Sequence, residues 1–378
     1  MLYESTLTQT LIPTPPHNDE LAYLANQING LTNSPQDFPL SDDHYLELMD
    51  YHGISFLVNG KSPMGTDVNN LTQQRKALMG ANEMLKHQAL EHLCTSLNHE
   101  KLDRIIFFKG TALAYTVYEQ PWIRPRTDVD CIIHKDELAF FSDILVSLGY
   151  KKQFSIEGKS LSYQSSFTKQ LTKNCWHNID VHWRINNRQI LSRAFNVDEL
   201  LKDAQRLPDF QSKIYSPSDV DNILIAALHR LGHHHYEERL IWLYDVHLLA
   251  QRLNQEQWQD LCHKAHSKKI SAITLDALTL ANRLFNTQID PSARELLSQH
   301  SLRKEPSQLF LDRNKAEWQY VLGDLVGFDS ITEKIQFIFE NLFPSPAFVR
   351  RQMDTKYTLI AYLKRIIRGL KRLAAKPN

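Results

Sequence analysis

Hydrophobic and polar residues change rhythm twice along this chain, and the changes divide it. Residues 1–18 are polar and proline-containing and read as irregular. Two short amphipathic stretches predict helices over 19–29 and 42–52, the second closed by Gly53. Residues 30–40 and 59–66, rich in Asn, Ser, Pro and Gly, read as loops. Leu71, Leu78, Leu85, Ala89 and Leu93 then recur at helical spacing, which predicts a long helix over 67–98 with these residues as its apolar stripe.

Beyond residue 98 the period shortens. Arg104 to Phe108 is a compact apolar run of β-branched and aromatic residues, the pattern of a buried strand. Thr111 to Tyr118 suits a helix, Thr127 to Ile133 a strand, and Lys135 to Leu148 a helix closed by Gly149. Phe154 to Phe167 reads as two strands around Glu157-Gly158-Lys159, and Ile179 to Arg184 as another strand. The predicted order is β-α-β-α-β-β-β, a small mixed sheet with helices packed on it. From Ser216-Pro217-Ser218 onward the helical period returns. Val220, Ile223, Leu224, Ala227, Leu228 and Leu231 share one face, a second helix is expected over 238–252, and more follow. The fold class is therefore α+β, a small mixed sheet flanked by helical regions. The expected divisions are a mostly helical 1–98, a core over 99–205, a helical 206–345 and a basic tail over 346–378.

Composition narrows the classes. The chain has 378 residues, enough for roughly two to three domains. Apolar content of 42% and charged content of 23% are those of an ordinary globular protein. Net charge is zero, so no global field draws it to nucleic acid. The charge is uneven, however: residues 349–378 hold nine Lys/Arg and one Asp, leaving the rest at about −8 by subtraction. In that tail Leu359, Tyr362, Leu363, Ile366, Ile367, Leu370 and Leu373 follow helical spacing, with Lys364, Arg365, Arg368, Lys371 and Arg372 between them. Such a helix over 350–376 suits an anionic partner, a membrane surface or RNA, or else docks on the acidic remainder of its own chain. Cys94, Cys131, Cys175 and Cys262 form no CxxC pair or zinc spacing, which fits a reducing compartment. No basic segment followed by an apolar core opens the chain, and no apolar run approaches the length of a membrane span. A cytoplasmic location is expected.

The chemistry-bearing residues lie in the predicted sheet. Residues i and i+2 of a strand point to one side, so Asp128 and Asp130 project together while Val129, Cys131 and Ile133 face away. Paired carboxylates repel, and burying either alone is costly. A divalent cation removes that cost, and Mg²⁺ prefers oxygen ligands while leaving positions for phosphate and water. Asp180, on a later strand, supplies a third carboxylate and with it a second cation site, enough to stabilise both the attacking and the leaving oxygen of an in-line displacement. Gly110-Thr111 follows a buried strand and opens a helix, where a phosphate can approach the backbone and meet helix N–H groups and the Thr hydroxyl. Arg124 and Arg126 precede the carboxylates and suit either a triphosphate or the Asp-bearing loop itself, and Lys109 is a further cation for phosphate. An Asp-x-Asp pair alone reads as readily as an exposed strand face. The ordered set is more specific: strand, Gly-Thr, helix, Arg-x-Arg-x-Asp-x-Asp, then an apolar strand with an acid.

Other residues have two readings each. His182 either assists as a base beside Asp180 or packs on the sheet with Trp183. His229 and His233 are spaced i, i+4 but have no evident third ligand, so a polar helix end is the simpler account. Asp245 either orients an acceptor or forms a cap or salt bridge, and Tyr115 and Tyr118 either stack on a base or belong to the core.

The ordered set resembles the nucleotidyltransferase superfamily, in which Gly-Ser/Thr is followed by Asp-x-Asp and a third acid. It is most similar to a bacterial family of stand-alone uncharacterised nucleotidyltransferases. The matching residues are Tyr51 to Ile54, Lys109 to Ala114, Tyr118, Arg124 to Ile133, Gly149-Tyr150, Asp180 to Trp183 and Arg239 to Val246. Thr127 stands where Gly or Ser is expected, and the span from Gly110-Thr111 to Asp128 is longer than in minimal superfamily members. The resemblance implies a polymerase-β-like core, with Asp128, Asp130 and Asp180 as catalytic ligands of two Mg²⁺ (or Mn²⁺) ions. It implies Gly110 and Thr111 on the β/γ-phosphates, an NTP substrate, ATP first, and transfer of a nucleotidyl group to a hydroxyl or phosphate acceptor. A non-catalytic antitoxin-like or biosynthetic accessory protein on the same fold, and an RNA-directed transferase, are the other expectations.

Overall fold

A computed structural model describes residues 18–30, 41–58, 66–97, 104–154, 162–207, 209–210, 214–232, 237–301, 305–312, 315 and 317–374. The irregular stretch expected before residue 18, most of the two expected loops and the Glu157-Gly158-Lys159 turn lie outside these residues. Three helices come first: α1 (Asn18–Ile28), α2 (Asp42–His52) and α3 (Thr66–Ser96). The sheet region holds β1 (Ile105–Phe107), α4 (Lys109–Thr116), β2 (Val129–Ile132), α5 (Leu138–Ser147), β3 (Lys151–Lys152), β4 (Gln164–Thr172) and β5 (Cys175–His182). It continues with α6 (Gln189–Ser192), α7 (Val197–Lys202), β6 (Gln205–Arg206) and β7 (Ile214–Ser216). The helices α8 (Asp219–Gly232), α9 (Leu240–Ala250), α10 (Gln255–Ser267), α11 (Ser271–Phe285) and α12 (Pro291–Ser301) follow. The chain closes with α13 (Glu317–Val326), α14 (Ile331–Leu342), α15 (Pro346–Gln352) and α16 (Thr358–Ala374). No helix among the described residues is long and apolar enough to cross a membrane.

The seven strands form one mixed sheet in the order β3-β4-β5-β2-β1-β7-β6. β2 runs antiparallel to β1 and parallel to β5, and β7 runs parallel to β1. This is the α+β architecture expected from the sequence, a mixed sheet with helices before and after it. The two strands expected over Phe154 to Phe167 fall instead at Lys151–Lys152 and Gln164–Thr172, and β6 and β7 are additions too short to show an alternating pattern; β7 covers the edge that β1 would otherwise expose. β4 and β5 form a hairpin paired over almost their full length, so the strand bearing Asp180 begins at Cys175.

Both faces of the sheet are covered, which explains why β1 and β2 are apolar on nearly every position. One face carries Val129, Cys131, Ile179 and Val181 against Leu90, Leu93 and Cys94 of α3 and Phe141 and Leu145 of α5. The other carries Ile106, Phe108 and Ile132 against Leu113 of α4 and the apolar face of α8. α1 and α2 pack elsewhere, on Leu240, Ile241 and Leu243 of α9 and Leu284 and Phe285 of α11. The C-cap Gly53 has φ +67 and meets Ile241 where a Cβ would sit at 3.3 Å, so this junction uses both freedoms of glycine.

The long helix α3 departs from its predicted stripe. Leu71, Leu78 and Leu85 are exposed, and its buried contacts come from Leu90, Leu93 and Cys94 near the C-terminal end. Helical spacing marks a face, but only the neighbouring elements decide how much of that face is covered.

Candidate active site

Asp130 and Asp180 lie side by side because β2 and β5 pair in parallel with these residues in register, followed two positions later by Ile132 opposite His182. Alternation then places Asp130, Asp180 and His182 on one face and Val129, Cys131, Ile179 and Val181 in the core beneath. Asp128 precedes β2 by one residue. The ligand atoms of Asp130, Asp180 and His182 all lie within 4.8 Å of one another, a group close enough to share a metal ion. The oxygen-rich donor set suits a hard divalent cation. The third member of the tight group is His182, whereas the sequence pointed to Asp128.

Electrostatics separates the three acids. Burial pushes Asp130 up, but the Lys109 ammonium at 2.7 Å and the His182 Nε2–H at 2.8 Å, both on Oδ1, outweigh it and hold the carboxyl well below the usual range. Among the described residues Asp128 has no ion pair of this kind, although Lys109 and His182 act on it from further away. Burial, then the charges of Asp130 and Asp180, raise its pKa to about 6. Asp180 is raised by burial and by Asp130, offset by hydrogen bonds from Ser166 and from Gln164 at 3.0 Å. His182 is lowered by burial and by Lys109, against the pull of Asp130, and its ring also meets Phe108 edge-on at 5.0 Å. Excess negative charge is thus concentrated at Asp128 and Asp180, where a cation would relieve it.

Lys109 opens α4 with φ 54, a left-handed conformation that is rare for lysine. Backbone strain of this kind is tolerated where surrounding contacts hold it, and here the bond to Asp130 does so. Gly110 follows, with the Arg124 guanidinium 3.4 Å from the position a Cβ would take. Thr111 is fully buried, and its hydroxyl donates to the Asp128 carbonyl at 3.3 Å.

The two arginines are engaged by protein. Arg124 is buried and grips Asp245 through Nε and Nη2 at 2.8–3.1 Å, while Nη1 donates to the Pro125 carbonyl at 2.6 Å. Tyr118 donates to the same carboxylate at 2.6 Å. Arg126 pairs with Glu83 of α3 and donates to the Tyr115 hydroxyl at 3.3 Å and the Pro121 carbonyl at 3.3 Å. Lys86 of α3 holds the Arg126 carbonyl at 3.2 Å. The segment leading to Asp128 is therefore fastened on one side to α9 and on the other to α3.

Of the expected site residues, the structure brings together Asp130, Asp180 and Lys109, with Asp128 one residue before β2 and Gly110 and Thr111 adjacent. It places Arg124 and Arg126 in the supporting layer. Asp245 takes the salt-bridge alternative, and Tyr115 packs against Phe210 in the core. Gln164 and Ser166 were missed; their only sequence signal is period-two spacing on a strand antiparallel to Asp180. His229 packs against Trp242, and its i+4 partner lies outside the described residues.

Residues 38–286 match the model of a family described as uncharacterised nucleotidyltransferase. Among curated proteins none matches the chain significantly. A solved structure, JHP933 from Helicobacter pylori, is similar over 59% of this chain and 91% of its own at 17% identity, with a TM-score of 0.30.

Proposed function

Because the chain belongs to this uncharacterised nucleotidyltransferase family, we propose that it is a divalent-cation-dependent enzyme moving a nucleotidyl group, AMP from ATP first, to a hydroxyl or phosphate acceptor. The observation that carries the reading is the register of β2 and β5, which sets Asp130 beside Asp180 with the less compensated Asp128 just upstream. Asp128, Asp130 and Asp180 would hold Mg²⁺ or Mn²⁺, with His182 at the edge of the set. A bound cation would supply positive charge to the attacking and leaving oxygens. In this reading the acceptor oxygen attacks the α-phosphorus, the bond to the β-phosphate oxygen breaks, and pyrophosphate leaves. The acceptor hydroxyl proton passes to Asp180, held by Gln164 and Ser166. The Gly110 backbone and Lys109 would meet the β/γ-phosphates. Thr111, Arg124 and Arg126 would act through the backbone that carries Asp128, by the contacts described above.

The test is transfer of label from each α-labelled NTP, with Mg²⁺ or Mn²⁺ and a cell lysate as acceptor source. Wild type is compared with Asp128→Asn/Asp130→Asn. Label moved by the wild type alone supports the reading, and the labelled species identifies the acceptor. Absence of both transfer and metal-dependent NTP binding overturns it and leaves the non-catalytic alternative.

A further inference from the structure

The strongest feature outside the site is the surface made by the last helices. α16 is held to the protein by one face: Ala361 and Arg365 are buried, Tyr362 donates to the Pro344 carbonyl at 2.6 Å, and Arg365 donates to the Asn341 carbonyl at 2.9 and 3.2 Å. Its apolar stripe is not that face. Leu359 is 79% exposed, Leu363 61%, Ile367 53% and Ile360 44%. Exposed Lys364 and Arg368 border this stripe, as successive positions on a helix turn by about 100°. α14 exposes an apolar row as well, Ile331, Ile335, Phe339 and Leu342, though its charged residues are Glu333, Lys334 and Glu340. The end of α14 meets α16 where the Phe343 and Tyr362 rings come within 5.8 Å and where Arg365 holds the Asn341 carbonyl. Exposed aliphatic rows of this extent mark interaction surfaces.

We propose that α16 lies in the plane of an anionic lipid surface. Charge identifies the occupant: residues 349–378 carry nine Lys/Arg against one Asp, and although Arg365 is turned into the protein, the net positive charge attracts an anionic layer and opposes apposition of a second copy of the same basic face. The aliphatic side chains separate lipid from nucleic acid, since phosphates and bases offer nothing to Leu359, Leu363 and Ile367, whereas the acyl boundary does. The attachment is peripheral, because no described helix can span the bilayer.

Vesicle flotation of the full chain tests this, with phosphatidylcholine vesicles and with vesicles of phosphatidylcholine and phosphatidylglycerol. The wild type is expected to float with the anionic vesicles at least ~10-fold better than with the neutral ones, and to release in high salt. Leu363→Glu/Ile367→Glu and, separately, Lys364→Glu/Arg368→Glu should each lose at least ~10-fold of that binding. All four residues are exposed, so circular dichroism should match wild type; if one variant misfolds, the other decides. Failure of the wild type to float overturns the proposal, as does flotation of folded variants at wild-type levels. A dimer that the apolar variant dissociates without altering flotation assigns the stripe to self-association and overturns it too. So does binding of the basic helix to RNA without binding to vesicles.

Discussion

Asp245 is the most exacting place to test the site's construction, because it touches none of the three site carboxylates. Its carboxylate accepts three hydrogen bonds from Nε and Nη2 of Arg124 and one from Tyr118, and the Arg124 side chain is 8% exposed against 3% for Asp245. Burial works against the Arg124 charge, and Asp245 more than compensates. Asp245→Ala removes the anion and leaves a guanidinium and a phenol in a dry site. Breaking one half of a buried pair costs about 3–5 kcal/mol, and the stranded Tyr118 hydroxyl falls at the lower end of an additional ~1–3 kcal/mol. A net loss of about 4–6 kcal/mol is expected in urea unfolding followed by circular dichroism. Arg124→Met/Asp245→Leu removes both charges and should recover all but about 1–2 kcal/mol. Since Arg124 fastens the segment before Asp128, the single variant should also bind Mn²⁺ roughly 10-fold more weakly by calorimetry, in the range seen for outer partners of metal ligands. Loss of less than about 1 kcal/mol in Asp245→Ala, or a double variant as unstable as the single, would refute the tether.

The remaining expectations follow from single contacts. The Asp128 carboxyl, raised from 3.8 to about 6, disfavours the folded state once ionised, so metal-free stability should fall as pH rises from about 4 through 6. Asp128→Asn should flatten that limb and be about 2–3 kcal/mol more stable at pH 8 in chelator, by urea titration; a wild-type curve of the same shape sinks the account. Lys109→Met strands the Asp130 charge and should cost about 2–4 kcal/mol in chelator. Most of this should return with saturating Mg²⁺, and an unchanged melting temperature in chelator contradicts the role given to the ion pair. A Cβ at Gly327 would sit 2.7 Å from the Ile190 backbone nitrogen, so Gly327→Ala should destabilise by about 1–3 kcal/mol in the same urea assay while Mn²⁺ affinity holds. A neutral substitution would mean that the turn after α13 gives way freely.

Local pattern alone determined much of this protein. The short apolar run at Ile105–Phe107, the helix opening around Gly110, the alternation of Val129, Asp130 and Cys131 and the single apolar face of α8 are all set by neighbours within a few residues. Strand and helix periods therefore reveal them. Asp130 was legible for the same reason, since a carboxylate on a strand among Val, Cys and Ile needs compensation wherever that strand packs. What tertiary structure decided is which charge compensates which. Arg124 finds Asp245 across 121 residues and Arg126 finds Glu83 across 43, and nothing near either arginine in the chain announces its partner. Lys109 meets Asp130 from a left-handed backbone conformation, which no propensity scale assigns to lysine. Coverage belongs to the same class: Leu71 and Leu363 carry helical spacing as regular as that of Leu224, yet only Leu224 is met by other elements. Periodicity is a property of one segment, whereas burial and charge pairing are properties of the space between segments.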